Sequence, residues 1–344
     1  MLTRRNLLAG LGAGAALAAV RPRLLRAATQ QLVFTSWGGT TQDAQKRAWA
    51  EPFTAKTGIP VLQDGPTDYG KMKAMIDAGN VTWDVVDVEQ DFGVWAGDAG
   101  WLEPIDFSML NKAELDPRFV TDYTVGSFYA VYVLGFSKTA YSGRQPETWA
   151  DMFDTKAFPG KRTYYKWSAP GNIEIPLLAD GVAPDKLYPL DLDRAFKKLD
   201  TIKKDIVWWG SGAQSQQLFA SGEVPIGMFW NGRLFALKQT GVDVGLSWRQ
   251  NVTASDRLVI PKGVKDKKAA MQLIQIACSA EGQAKMAQYS GYAPTNLKSE
   301  ALLDQATRDW LPSRYQSENV NIDVNYWAKH RDEIGKRWYD WQAA

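Results

Sequence analysis

Short runs dense in β-branched and aromatic residues alternate along this chain with stretches in which apolar residues recur every three or four positions. Residues 31–36 (Gln-Leu-Val-Phe-Thr-Ser) read as a first strand, leaving through the glycine-rich Trp37-Gly38-Gly39-Thr40. From about Gln42 a helix follows, with Ala44, Ala48, Trp49 and Phe53 on one side and an end at Gly58. Pro52 is expected to bend or interrupt it. Residues 59–63 predict a second strand, 69–78 a second helix with Met72, Met75 and Ile76 inward, and 84–88 a third strand. Strand patterns return at 126–133, 160–165, 206–209, 224–229 and 257–260, and helical ones at 192–204, 215–220, 267–280 and 284–289. Residues 132–136 are apolar without a break and suit a strand crossing between lobes. Strands alternating with helices predict an α/β fold around an open parallel sheet. In such sheets ligands bind beyond the carboxyl ends of the strands, the edge where Trp37 and Glu89-Gln90-Asp91 fall.

The first 28 residues break this pattern. Arg4-Arg5 precede an apolar run over residues 7–20 made only of Leu, Ala, Gly and Val, and small residues follow at Ala27-Ala28. This order of charged, apolar and small residues is that of a secretory signal, and the arginine pair points to the twin-arginine route. A membrane anchor is the alternative, but a bilayer span needs roughly 20 strongly apolar residues. The expectation is therefore a signal peptide over 1–28, cleaved, and a periplasmic mature chain starting near Thr29. No cysteine near the cut offers a lipid anchor.

Composition changes the picture in three places. The leader holds five arginines and no acid, so its removal takes the formal charge from +2 to −3. A slightly acidic mature surface gives no reason to expect nucleic acid as partner. Cys278 is alone, which excludes an intramolecular disulfide. His330 is the single histidine, in a polar tail that reads as helical, which argues against a histidine-based triad and excludes multi-histidine zinc sites. No nucleophile elbow, phosphate loop or metal cluster stands in the sequence, so no catalytic residue, metal or cofactor is expected. The 15 tryptophans pull the other way. Some fill a core, but Trp37, Trp167, Trp230 and Trp248 sit beside Gly, Ser, Asn or Arg, where an indole face can stack or hold a cation. The mature length suits two lobes.

One segment narrows the reading further. Gly222-Glu223-Val224 followed by Gly227-Met228-Phe229-Trp230-Asn231-Gly232-Arg233 resembles the "GMxWNG" region of bacterial solute-binding proteins of the spermidine/putrescine type. Thr148-Trp149-Ala150-Asp151-Met152-Phe153 resembles that family's "SWADLW" helix start, and Ser290-Gly291-Tyr292-Ala293-Pro294-Thr295-Asn296 its "GYxPxN" loop. Asp256-Arg257-Leu258-Val259-Ile260-Pro261 and Trp83-Asp84-Val85-Val86 resemble its "DxLxIP" and "YDLVxP" strands. The shared order and spacing carry the resemblance, which extends over nearly the whole mature chain.

The resemblance implies a type II-like periplasmic-binding-protein clamshell, each lobe a mixed sheet flanked by helices, that delivers solute to the permease subunits of an ABC importer as a monomer. It implies one lobe from 29–133 with 256–300 and a second from 134–255 with 301–344. It places Trp37 and Trp230 as stacking aromatics of the two lobes, Asp256 as the carboxylate that pairs an amine and Tyr292 as a late aromatic wall. Glu89 and Asp91 fall at positions of polar and aromatic contacts, where they add negative charge or stay as solvated loop charges. Two departures stand out. Trp167-Ser168-Ala169-Pro170-Gly171 lacks the family's acidic pair, and Ala254 replaces an aromatic.

The expected ligand is a small organic amine, a polyamine such as putrescine or spermidine. Alternatives are an amino acid such as γ-aminobutyrate, thiamine or ferric iron. The missing acidic end favours a short amine or amino acid over a long polyamine. A zwitterion needs a cationic partner for its carboxylate, and Arg233, Arg249 and Arg257 are available. A secreted carboxylate-dependent enzyme is the alternative from a different class.

Overall fold

Leu32 and Phe34 are buried while Val33 between them is only half-buried, the alternation that docks a strand against a core on one face. The computed structural model describes residues 30–344. The leader and its cleavage site lie outside the described residues. The strands are β1 (Leu32–Thr35), β2 (Val61–Asp64), β3 (Val85–Glu89), β4 (Val125–Phe128), β5 (Val131–Ser137), β6 (Arg162–Tyr165), β7 (Ile206–Trp209), β8 (Ile226–Trp230), β9 (Val244–Thr253), β10 (Asp256–Val259) and β11 (Asn319–Val320).

They form two mixed sheets flanked by helices. The first has the order β2-β1-β3-β10-β4, the second β11-β9-β5-β8-β6-β7. In the first, β1 pairs in parallel with β2 and β3, while β10 runs antiparallel between β3 and β4. Two direct crossings between the sheets run through Tyr129-Ala130 and Ala254-Ser255, and the chain returns to the second sheet once more between β10 and β11. Ala254 N–H donates to the Ala130 carbonyl at 2.9 Å, so the two crossings are tied to each other.

Several elements differ from the sequence reading. The apolar run 132–136 lies inside β5, a central strand of the second sheet, and the crossing precedes it. Its continuity reflects burial between β8 and β9. Pro52 does not interrupt its helix. A π-helical turn, Lys46–Ala50, precedes Glu51–Thr57, so Pro52 enters in a first turn where its missing N–H is tolerated. The ten-residue strand β9 and the helix Gln90–Asp98 have no counterpart in the predicted elements. The helix Val324–Ala343 closes the chain and contains His330, as the polar tail predicts.

That last helix is fixed by tryptophans. Trp327 Nε1 donates to Glu174 Oε1 at 2.6 Å, Trp338 Nε1 to the Lys166 carbonyl at 2.8 Å and Trp341 Nε1 to Asp200 Oδ1 at 2.8 Å. Trp327 and Trp338 are fully buried, so many of the tryptophans are core residues.

Candidate ligand-binding site

Trp37 follows β1, Glu89 ends β3, Trp230 ends β8 and Asp256 starts the antiparallel β10. All four therefore stand at sheet edges that meet in one cleft. Two small voids join there. Trp37, Trp230, Ala254 and Asp256 line both. Arg233, Tyr292, Thr41 and Phe128 close one end, and Glu89, Gln90, Tyr132, Ala169 and Pro170 the other. A wider cavity continues outward past Trp37, Glu89, Tyr69 and Arg331.

The charges are arranged by sign. Asp256 and Glu89 are directly paired residues of β10 and β3, so their carboxylates repel across the ladder. Burial pushes the Asp256 carboxyl well above its usual range, and its neighbours Asp87 and Glu89 push it further. The nearby Trp37 indole offsets part of this, although its Nε1 makes no hydrogen bond of normal geometry. Burial likewise lifts Glu89 to about 7, against the opposing pull of Arg331. Asp87, beneath them, is lifted to about 7 by burial, with Gln45, Ser127 and Ser36 opposing.

Arg233 stands at the opposite end. It is buried, and burial lowers its affinity for a proton. Its Nη1 donates to Thr40 Oγ1 at 3.1 Å and its Nη2 to the Gly38 carbonyl at 3.4 Å. Nε has no partner, and among the described residues no carboxylate forms an ion pair with it. A buried cation without a direct ion pair lies in the same cavity as a buried carboxylate, Asp256, which acts on it only through space. Such a cavity binds and orients a ligand with complementary ends.

A model of the "Bacterial extracellular solute-binding protein" family matches residues 48–311. The chain belongs to this solute-binding family. It is 32% identical over 327 residues to the γ-aminobutyric acid-binding protein of Pseudomonas aeruginosa, covering 92% of each chain. It is 27% identical over 300 residues to the spermidine/putrescine-binding periplasmic protein 1 of Haemophilus influenzae, covering 83% of this chain and 80% of that one. The solved structure of the Atu4243-GABA receptor superposes with a TM-score of 0.85 at 63% identity, over 91% of this chain and 98% of that one. These relatives are solute-binding proteins and not enzymes. The chain is a binding protein, and the enzyme alternative falls away.

The motifs of the solute-binding protein act as joints as much as contacts. Trp230 faces the cavity, packed against Trp209 and Tyr165 with ring centroids 4.7 and 5.3 Å away. The next residue, Asn231, is fully buried. Its Oδ1 accepts from Val131 N at 3.2 Å and its Nδ2 donates to the Gly291 carbonyl at 2.8 Å, stapling the crossing to the late loop. At Gly232 a Cβ would lie 2.5 Å from Tyr292, so only glycine lets that ring approach. Tyr292 then stacks on Phe128 with centroids 4.5 Å apart.

The structure brings Trp37, Trp230, Asp256 and Tyr292 to one cavity, with Glu89 at its acidic end. Asp91 reaches the same wall, but its side chain is fully buried and its Oδ2 pairs with Arg331 Nη1. Glu89 Oε2 takes the other guanidinium nitrogen, Arg331 Nη2, at 3.3 Å and also accepts from Tyr69 Oη at 3.2 Å. Neither carboxylate is a solvated loop charge.

Of the three candidate arginines only Arg233 lines the cavity. Arg249 is exposed and pairs with Glu147 at 3.0 Å. Arg257 donates to Thr124 Oγ1 at 2.8 Å and to the Arg118 carbonyl at 3.0 Å. The loop that lacks an acidic pair supplies Ala169 and Pro170 as apolar wall. The nearest acid, Glu174, is turned away to Trp327, Tyr188 and Gly171 N. Tyr132 and Arg331 escaped the sequence reading. Tyr132 was hidden in an apolar strand, and Arg331 lies 240 residues from Asp91.

Proposed function

We propose that this solute-binding protein is the periplasmic receptor of an ABC importer for a short amino acid with its ammonium and carboxylate at opposite ends, with γ-aminobutyrate the model ligand. One observation carries the reading: the buried, unpaired Arg233 shares a cavity with buried Asp256. A carboxylate beside Arg233 gives the guanidinium the direct ion pair it lacks, through charge-assisted hydrogen bonds. An ammonium beside Asp256 relieves the repulsion between that carboxylate and Glu89, and the faces of Trp37 and Trp230 add cation–π attraction of about 0.5–2 kcal/mol each.

A diamine fits less well, because it would set a second positive charge near Arg233. Two of the relatives bind γ-aminobutyrate by name at 32% and 63% identity, and the polyamine relative is more distant at 27%. The ligand reading therefore moves from a polyamine to the amino-acid alternative. The leader pattern supports export by the twin-arginine route with cleavage near Thr29, and the mature protein acts as a monomer that docks on permease subunits.

The test is calorimetry with the purified mature protein against γ-aminobutyrate, putrescine, spermidine and thiamine. Binding of γ-aminobutyrate at least about tenfold tighter than putrescine is the expected result. Tighter binding of putrescine or spermidine would return the polyamine reading to first place.

A further inference from the structure

Arg331 is a cation that the protein itself brings to the acidic end of the cleft. Its helix is held on either side, by Trp327 bonded to Glu174 and by Trp338 bonded to the Lys166 carbonyl. From this base the side chain reaches Glu89 at 3.3 Å and also pairs with Asp91, both in the first-sheet wall of the cavity. The guanidinium lies 5.3 and 5.5 Å from the ring centres of Tyr69 and Phe92. An ammonium ligand would find the same surroundings attractive: two carboxylates and two aromatic faces.

We propose that Arg331 is a specificity-determining residue that occupies, from within the chain, the place a second ligand ammonium would otherwise take. Glu89 faces both the inner cavity and the wider outer one, and Arg331 lines the outer one. With Arg331 in place the acidic end is satisfied, and Asp256 remains for a single ligand ammonium. A diamine then meets Arg331 at one end and Arg233 at the other. Removal of the Arg331 charge leaves Glu89 and Asp91 without their partner, at a point a longer cation can reach through the outer cavity. Arg257 feels Asp91 only through space and forms no ion pair with Asp91 or Glu89, its two terminal nitrogens being bonded to Thr124 and the Arg118 carbonyl. Specificity here is built by an internal charge that repels the competing ligand, as well as by attraction of the preferred one.

The inference rests on the amino-acid reading of the cleft, and the experiment separates the two. Affinities for γ-aminobutyrate and putrescine are measured by calorimetry on wild type, Arg331→Met, Arg331→Lys and the double variant Arg331→Met with Asp91→Asn. Thermal midpoints report folding. The double variant removes the buried Asp91 charge with its partner, so it carries the test if Arg331→Met alone unfolds. The affinity ratio should move toward putrescine by at least about tenfold in the Met variants and stay within about threefold of wild type in Arg331→Lys. An unchanged ratio in folded Met variants, or equal weakening of both ligands, overturns the assignment and leaves Arg331 a structural tie. A wild type that binds putrescine and no amino acid defeats the underlying reading instead.

Discussion

Glu89 and Asp256 face each other across an antiparallel strand pair, two carboxylates in direct register at the edge of one cavity. Like charges so placed destabilise the ligand-free protein, and the sheet tolerates them because a cation answers each: Arg331 for Glu89, and in the proposed complex a ligand ammonium for Asp256. Asp256→Asn should therefore have opposite effects on two measurements. Affinity for γ-aminobutyrate should fall by roughly 1–3 kcal/mol, the loss expected for a charge-assisted hydrogen bond. The thermal midpoint of the ligand-free protein should rise. Unchanged affinity would place the amine elsewhere.

Arg233→Met removes the charge that faces the ligand carboxylate and keeps much of the side-chain volume. It should weaken γ-aminobutyrate by about 2–5 kcal/mol, the usual cost of losing one partner of a buried charge pair. Butylamine, which has no carboxylate, should lose far less. A comparison of the two ligands on the same variant separates carboxylate recognition from collapse of the cleft.

Trp230→Ala takes away one wall of both voids. The expected loss is roughly 1–3 kcal/mol, combining apolar contact and cation–π attraction. Fluorescence or calorimetric titration reads it directly, and an unaltered dissociation constant would make Trp230 a packing residue only.

Acidity should act on stability and on binding in opposite senses. Burial holds Glu89 and Asp87 up to about 7, and Asp256 also above its ordinary value. Raised folded values mean that these groups stabilise the fold fully below the unfolded carboxylate range, and that this contribution is lost as pH rises through about 7. Their share of ligand-free stability should thus fall between about pH 4 and 7. An ammonium ligand favours the ionised carboxylates, so affinity should rise over the same window with release of protons. Calorimetry in buffers of different ionisation enthalpy measures that release, and proton uptake on binding would contradict the assignment.

Glu174→Ala should lower stability by roughly 2–4 kcal/mol, because it strands buried donors from Trp327, Tyr188 and Gly171. Gly171 sits at φ +100° with a Cβ position 2.6 Å from Tyr132, so the loop is already confined to glycine there. Denaturant unfolding would show the loss. The effect on ligand affinity should be smaller, since Glu174 does not line the cavity.

Period and punctuation in the sequence determined the α/β class, most strands within a few residues, and Trp37 and Trp230 as site candidates, while Asp256 and Tyr292 came from the resemblance of their motifs to a known family. The two tryptophans stand at strand ends near glycine, where local pattern points a side chain to the ligand-binding edge of the sheet. The tertiary structure decided the rest. It divided the apolar stretch around residues 125–137 into two strands of different sheets, because burial on both faces erases the alternation that marks a boundary. It chose Arg233 among three arginines, since the partners that occupy Arg249 and Arg257 are distant in sequence. It also set Arg331 against Glu89 and Asp91, an encounter that arises only when the last helix packs back across the cleft. Charge neutralisation depends on distances of a few ångströms in space, and spacing along the chain carries no record of them.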